Sequence, residues 1–200
     1  MTNQTLLSAL STLSSQRAAF CSEADFQFAL AWELQKLLPQ AKISLEYPIQ
    51  IKSKDCHIDI WVEESGYIYP IELKYKTKGG IVGGVTLKNH SAVDFGCYDY
   101  LYDIYRIEQI KATTPNFDKG FAVMLTNEPS YYNHTNRSSA YNDFKIFQNS
   151  VHNGAHAWGL TNKGTIFNSG NRDNFSLAGS YTMRWNVYNN YDFRFVISEI

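Results

Sequence analysis

Hydrophobic residues recur at helical spacing in three stretches of the chain. In the clearest one, apolar positions 26, 30, 34 and 37 lie between a capping sequence that begins at Ser22 and a proline at position 39. A second stretch has apolar positions 97, 101, 104 and 107, and a third has leucines at 6, 7, 10 and 13 interrupted by serine and threonine. These patterns predict helices over about 22–38 and 91–111 and a short amphipathic helix near the N-terminus.

Strand-like patterns follow the helix predicted over 22–38. Three runs, at 43–51, 57–63 and 67–77, are separated only by short polar turns, which favours an antiparallel meander. After the helix predicted over 91–111, residues 121–126 form a continuous apolar run, as in a strand buried in the centre of a sheet. This order of elements, over about 22–127, predicts an α/β fold in which a mixed sheet carries helices.

The C-terminal part, about 128–200, is rich in Asn, Gly, Ser and aromatic residues. Its turn signals are Asn153-Gly154, Lys163-Gly164 and Ser169-Gly170, and its strand candidates lie around 155–160, 181–188 and 193–197. No linker or repeat separates it from the preceding residues, so we expect one domain, 1–200, with a β-rich C-terminal extension. Within that extension we expect a second small core formed by Trp158, Tyr181 and Trp185.

Composition excludes several classes of protein. The chain has 200 residues, of which 44% are hydrophobic, enough for one large domain with its own core. Eighteen Lys and Arg against 19 Asp and Glu give a net charge of -1, which predicts no general attraction to nucleic acid or anionic lipid. The chain lacks an apolar run long enough to span a membrane, and it lacks a signal-peptide pattern. Three widely spaced cysteines favour neither disulfides nor a cysteine zinc site, so we expect a cytoplasmic protein.

Two neighbouring predicted strands carry acidic residues away from their apolar face. Strand alternation groups Asp59 with Trp61, opposite Ile58, Ile60 and Val62. In the next strand, alternation places Glu72 and Lys74 together on the polar face. If these strands are paired, Asp59 and Glu72 converge, and two carboxylates converge at a cost unless a cation lies between them.

Magnesium suits this pair, because it prefers hard oxygen ligands and uses few protein carboxylates beside a substrate phosphate. Lys74 would then lie beside the attacking water and orient it, which predicts phosphodiester hydrolysis. Glu23 is a further candidate, since it lies three residues before Phe26 on the helix stripe that should face the sheet. Glu23 is equally compatible with an ordinary first-turn acid that stabilises the helix N-terminus.

The acidic first helix, Asp59, and then Glu72-Leu73-Lys74 after a hairpin resemble the PD-(D/E)XK nuclease superfamily, which has the restriction-endonuclease-like fold. The resemblance covers about 22–127 and includes the order of elements. It implies that Asp59, Glu72 and the Leu73 carbonyl bind Mg²⁺, with Mn²⁺ as a substitute, and that Lys74 positions or activates water. The helix glutamate of the family corresponds to Glu23, with Asp25 as the competing choice.

The resemblance also implies a function and partners. It favours DNA over RNA as the substrate of an endonuclease with a restriction or defence role, and a homodimer is compatible with cutting both strands. The alternative is a non-catalytic interaction or immunity-type protein that retains the nuclease fold. We expect the glycine-rich loop 79–84 to be a mobile flap. Three lysines lie around this loop, Lys76, Lys78 and Lys88, and they either contact phosphates or are ordinary surface charge.

Three other sets of residues have structural interpretations. The tyrosines of the second long helix, at positions 98, 100, 102 and 105, are more typical of boundary packing than of stacking on bases. His152 and His156 are four residues apart, but Asn153-Gly154 between them would break a helix, so we do not expect a zinc site there. A lone His57 is likewise more typical of a structural residue than of a metal ligand.

Overall fold

The structure, a computed structural model, describes residues 1–90, 92–159 and 172–200. Its helices are α1 (Asn3–Gln16), α2 (Glu23–Leu37) and α3 (Val93–Thr113), with a short 3-10 helix at Asn142–Phe144. Within the described residues, no helix combines the length and the apolar character needed to cross a membrane. The predicted turns Lys163-Gly164 and Ser169-Gly170 lie outside the described residues, as do positions 91 and 160, where two predicted elements begin or end.

The main sheet has six strands in the order β1-β2-β3-β6-β10-β9. Two further two-stranded sheets pair β4 with β5 and β7 with β8. The strand bounds are β1 (Lys42–Ile51), β2 (Lys54–Glu64), β3 (Tyr67–Lys76), β4 (Gly80–Val82), β5 (Val85–Leu87), β6 (Phe121–Thr126), β7 (Val151–His156), β8 (Phe175–Thr182), β9 (Asn186–Val187) and β10 (Arg194–Glu199). As predicted, β1, β2 and β3 form an antiparallel meander, and the parallel pairing of β3 with β6 makes the sheet mixed.

Helices cover both faces of this sheet. The apolar residues of α1 and α2 share a core with one face of β2, β3 and β6. Those of α3 share a second core with the opposite face of β6 and with the C-terminal segments. Helix α2 begins where the sequence predicts, because the Ser22 hydroxyl accepts a hydrogen bond from the backbone N–H of Asp25. The predicted α/β class is therefore confirmed.

The C-terminal part differs most from the prediction. The strand expected at 155–160 is β7, which ends at His156, and Asn153-Gly154 is an irregularity inside it rather than a turn, because Gly154 adopts a φ of 62°. The strand expected at 181–188 is divided between the end of β8 and the short β9. The strand expected at 193–197 corresponds to β10, which completes the main sheet beside β6.

The aromatic residues of this part do not form a separate core, contrary to the expectation. Tyr181 and Trp185 belong to the same cluster as the apolar face of α3, and Trp158 packs against it. The carboxylate of Glu108 on α3 accepts hydrogen bonds from the Tyr181 hydroxyl and from two backbone N–H groups of β8. The α3 tyrosines pack in this cluster as predicted; Tyr98, for example, stacks on Trp158 with ring centroids 5.6 Å apart.

His152 and His156 are brought together by the strand that replaces the expected break. The Gly154 carbonyl is 2.9 Å from His156 Nδ1, which must therefore carry a proton. His156 Nε2 then accepts from His152 Nδ1 at 3.1 Å, and His152 Nε2 accepts from the Ser150 hydroxyl at 3.1 Å. All four ring nitrogens have hydrogen-bond partners, so the two histidines form a buried network within the protein.

This network predicts a loss of stability in acid. Burial, and next the charge of His156, lower the pKa of His152 from 6.5 to about 4. Between these values the unfolded chain binds a proton that the folded chain does not, so the free energy of unfolding falls as the pH falls from 6.5 to 4, by about 3 kcal/mol in total. Urea denaturation at several pH values should show this loss in the wild type and a smaller one in His152→Gln.

The exposed His134 provides the matched control, because its substitution by Gln should leave the pH dependence of the wild type unchanged. An equal pH dependence in His152→Gln and in the wild type would contradict the assignment of this loss to His152.

Candidate active site

The candidate site lies where β2 separates from β3. The two strands pair only as far as Ile60 opposite Ile71, so beyond this point every second backbone N–H of β3 lacks a partner from β2. Side chains from other segments accept these N–H groups: Asp59 Oδ2 accepts from Leu73 (2.5 Å) and Glu23 Oε2 from Tyr75 (2.6 Å). His90 Nδ1 accepts from Thr77, the residue that follows β3 (3.0 Å). We call this point of separation the fork; polar side chains gather there along the free edge of β3.

Asp59 is held at the fork by a local irregularity in β1 and β2. Gln27 of α2 donates one hydrogen bond to the Asp59 carbonyl (2.6 Å) and another to the carboxylate of Glu46, whose φ is 50°. The side-chain alternation changes here: Ile58 packs with Trp61, not with Ile60 and Val62 as predicted. Burial, and then the neighbouring Glu23, raise the pKa of Asp59, although Lys74 and the Leu73 N–H oppose the shift.

Glu72 and Lys74 project from β3 towards α3, on the same side as predicted. Only 1% of the Glu72 side chain is exposed, and burial together with the charges of Asp103 and Asp59 raises its pKa well above the usual range. The Lys74 ammonium is 2.6 Å from Asp103 Oδ2 and 3.0 Å from the Leu73 carbonyl. Burial disfavours this ammonium, but the surrounding carboxylates, Asp103 foremost, raise the pKa of Lys74, so it remains charged.

Two residues of α3 complete the site, and the sequence reasoning missed both. Asp103 pairs with Lys74, and Arg106 lies with Nη1 3.0 Å from Glu72 Oε1 and 3.7 Å from Asp103 Oδ1. Burial raises the pKa of Asp103 to about 6, even though both cations oppose the shift. The sequence did contain a signal: Asp103 and Arg106 are three residues apart, which places their opposite charges on one face of the predicted helix.

The two candidate acids of α2 have different positions. Glu23 reaches the free edge of β3 and lies 4.0 Å from the Lys76 ammonium. Asp25 instead pairs with Arg17 (2.7 Å) and accepts from the backbone N–H of Cys21 (2.8 Å). Of the two, Glu23 is therefore the one at the fork.

His57 is exposed, and its backbone carbonyl accepts a hydrogen bond from the Arg106 guanidinium.

A cleft of 170 Å³ adjoins the fork, between the start of α2, the end of β3 and the β4–β5 hairpin. Lys76, Lys88 and His90 line it, whereas Lys78 is not among its lining residues. The glycine-rich segment expected to be a flap is this hairpin, whose turn is formed by Gly83 and Gly84 at φ values of 54° and 82°. A Cβ at Gly83 would lie 2.5 Å from that of Ala18, so the hairpin packs closely on the α1–α2 loop.

The fork offers donors that suit magnesium. Among residues 1–90, 92–159 and 172–200, no three His, Cys, Asp or Glu side chains cluster as a metal site. The candidate ligands form a smaller set, two carboxylates and the Leu73 carbonyl, which is sufficient for an ion that retains several waters. Glu72 Oε1 is buried without a hydrogen bond of good geometry, as is Asp103 Oδ2, although each oxygen lies within 3.0 Å of a cationic side chain. Asp59, Glu72 and Leu73 thus fit the ion chemically.

Comparison with protein-family models, with curated proteins and with solved structures finds no match to this chain. The interpretation of the fork therefore depends on its own geometry and chemistry.

The buried charges predict unequal effects of two lysine substitutions in β3. Lys74→Met would leave Asp103, Glu72 and Asp59 without their central cation, so we expect the free energy of unfolding to fall by about 3–5 kcal/mol. Lys76→Met removes a more exposed ammonium 4.0 Å from Glu23 and should cost less than about 1 kcal/mol. Urea denaturation at pH 7 measures both, and equal losses would contradict the central position of Lys74.

Proposed function

We propose that this protein is a magnesium-dependent nuclease that hydrolyses phosphodiester bonds, with Mn²⁺ able to replace Mg²⁺. The observation that carries the proposal is the fork, where Asp59, Glu72, the Leu73 carbonyl and the Lys74 ammonium meet in one buried, charged site. Hard oxygen donors beside an ammonium are the groups that metal-assisted attack on a phosphodiester requires. Their positions also support the resemblance to the PD-(D/E)XK superfamily.

Each residue has a separate task in this reaction. Asp59, Glu72 and the Leu73 carbonyl would hold Mg²⁺, which would supply Lewis-acid chemistry by lowering the pKa of a water and polarising a phosphoryl oxygen. Lys74 remains protonated, so it acts by orienting the attacking water and by stabilising the negative charge that develops on phosphorus. Glu23 keeps the end of β3 in place through the Tyr75 N–H and adds negative charge beside Lys74.

DNA is the substrate we favour, within a restriction or defence role in the cytoplasm and with a homodimer as the form that cuts both strands. This choice comes from the superfamily resemblance. The adjoining cleft supports a nucleic acid more generally, because Lys76 and Lys88 line it and can contact phosphates. Lys78 is exposed near the same hairpin and is a further candidate for backbone contacts.

A non-catalytic interaction protein is the second candidate, and one observation favours it. Glu72 and Asp103 already have cationic partners in Arg106 and Lys74, so two carboxylates of the site are compensated without a metal. A protein that keeps the fold only as a binding module could retain such buried ion pairs for stability alone. The two candidates differ in whether the fork binds a divalent cation and cuts nucleic acid.

Cleavage of supercoiled, linear and single-stranded DNA and of RNA, with Mg²⁺ or Mn²⁺ and with EDTA, tests the proposal. We expect metal-dependent cutting by the wild type and a loss of about 100-fold or more in Glu72→Gln, which removes a ligand charge with little change in shape. Glu63→Gln is the matched control, because Glu63 pairs with Lys42 at the surface, away from the fork. It should cut like the wild type.

Circular dichroism should first establish that both variants are folded. Equal cutting by Glu72→Gln and the wild type would show that any nuclease activity comes from elsewhere. If the wild type neither cuts these substrates nor binds Mn²⁺, the nuclease proposal fails and the interaction protein becomes the better account.

A further inference from the structure

Arg106 connects α3 to both strands of the fork. Its Nη1 is 3.0 Å from Glu72 Oε1 on β3, and its Nη2 donates to the His57 carbonyl on β2 at 2.5 Å. The side chain is only 18% exposed, and the carboxylates of Glu72 and Asp103 raise its pKa against the effect of burial. It therefore contacts both sides of the site.

The charges at the fork fall into two unequal pairs. Lys74 and Asp103 form a close pair at 2.6 Å. The contact between Arg106 and Glu72 is longer, with Nη1 3.0 Å from Glu72 Oε1, and neither this oxygen nor Asp103 Oδ2 has a hydrogen bond of good geometry. Arg106 is thus the cation on the proposed metal ligand, at the longer of the two ion-pair distances.

A guanidinium cannot lose its proton in a protein, so Arg106 is a permanent positive charge beside Glu72. A divalent cation on the same carboxylate would be repelled by it at close range in a poorly hydrated environment. Both cations also compensate the same charge, so either one alone can offset the burial of Glu72. These two facts make the metal and Arg106 competitors for one carboxylate.

We propose that Arg106 is a resident counter-ion that holds Glu72 in the metal-free protein and is displaced from it when a divalent cation binds. This inference rests on the proposed function, because it assumes that Glu72 is a metal ligand. It assigns Arg106 a positioning role: the arginine keeps the fork folded before the metal arrives and lowers the affinity of the site for it. Arg106 itself is neither a metal ligand nor part of the bond-breaking step.

Calorimetric titration of the full-length protein with Mn²⁺ tests the competition without any substrate. Arg106→Gln removes the charge and retains a polar side chain, and we expect it to bind Mn²⁺ at least about tenfold more tightly than the wild type. Arg106→Lys retains the positive charge and should bind close to the wild type. Arg17→Gln is the matched control, because Arg17 forms an ion pair with Asp25 outside the fork, and it should not change Mn²⁺ affinity.

Thermal unfolding gives a second readout that does not depend on activity. Without metal, Arg106→Gln should be less stable than the wild type, because Glu72 loses its counter-ion. Saturating Mn²⁺ should raise the melting temperature of this variant by more than it raises that of the wild type. If Arg106→Gln is unfolded without metal, Mn²⁺ should refold it, and failure to refold at saturating Mn²⁺ overturns the inference.

The outcomes separate this inference from the proposed function. Equal or weaker Mn²⁺ binding by folded Arg106→Gln, with Glu72-dependent binding in the wild type, would overturn the competition and leave the metal site intact. Absence of Mn²⁺ binding in the wild type and in every variant would overturn both.

Discussion

The site depends on one constraint, the separation of β2 from β3 after Ile60 and Ile71. A strand edge buried inside a protein must have its N–H groups satisfied, and here no neighbouring strand is available. The acceptors come instead from Asp59, Glu23 and His90, which lie on three different segments of the chain. The need to satisfy the backbone of β3 therefore brings two acidic side chains together along one edge.

Gathering acids in a buried place requires cations nearby. Lys74 of β3 and Arg106 of α3 supply them, and each forms an ion pair of 3.0 Å or less with a carboxylate of the site. Because the two faces of β3 differ, the apolar residues Ile71, Leu73 and Tyr75 pack towards α1 and α2 while Glu72 and Lys74 face α3. The sheet thus separates the main core from a charged compartment in which ionic chemistry is possible.

Sequence reasoning located most of the elements up to residue 126, because periodicity and capping are local signals. Alternation placed Glu72 and Lys74 correctly on one side of β3. Asp59 also lies at the fork as predicted, although Ile58 packs on the face opposite to the predicted one. The change of alternation at Asp59 could not be predicted, because it accompanies hydrogen bonds that Gln27 of α2 donates to Glu46 and Asp59. Asp103 and Arg106 were missed because periodicity does not tell which strand residues a helix covers. The C-terminal strands were placed poorly because Gly154 allows a strand to continue through a sequence typical of a turn.

The central claim is that Glu72, Asp59 and the Leu73 carbonyl form a site for a divalent cation on the free edge of β3. Anomalous diffraction from crystals soaked in Mn²⁺ tests it most directly, since it locates the metal without relying on a substrate. We expect one strong peak bonded to these three groups, with the Arg106 guanidinium moved away from Glu72. A saturating soak that gives no peak at the fork and leaves the Arg106–Glu72 pair intact would contradict it.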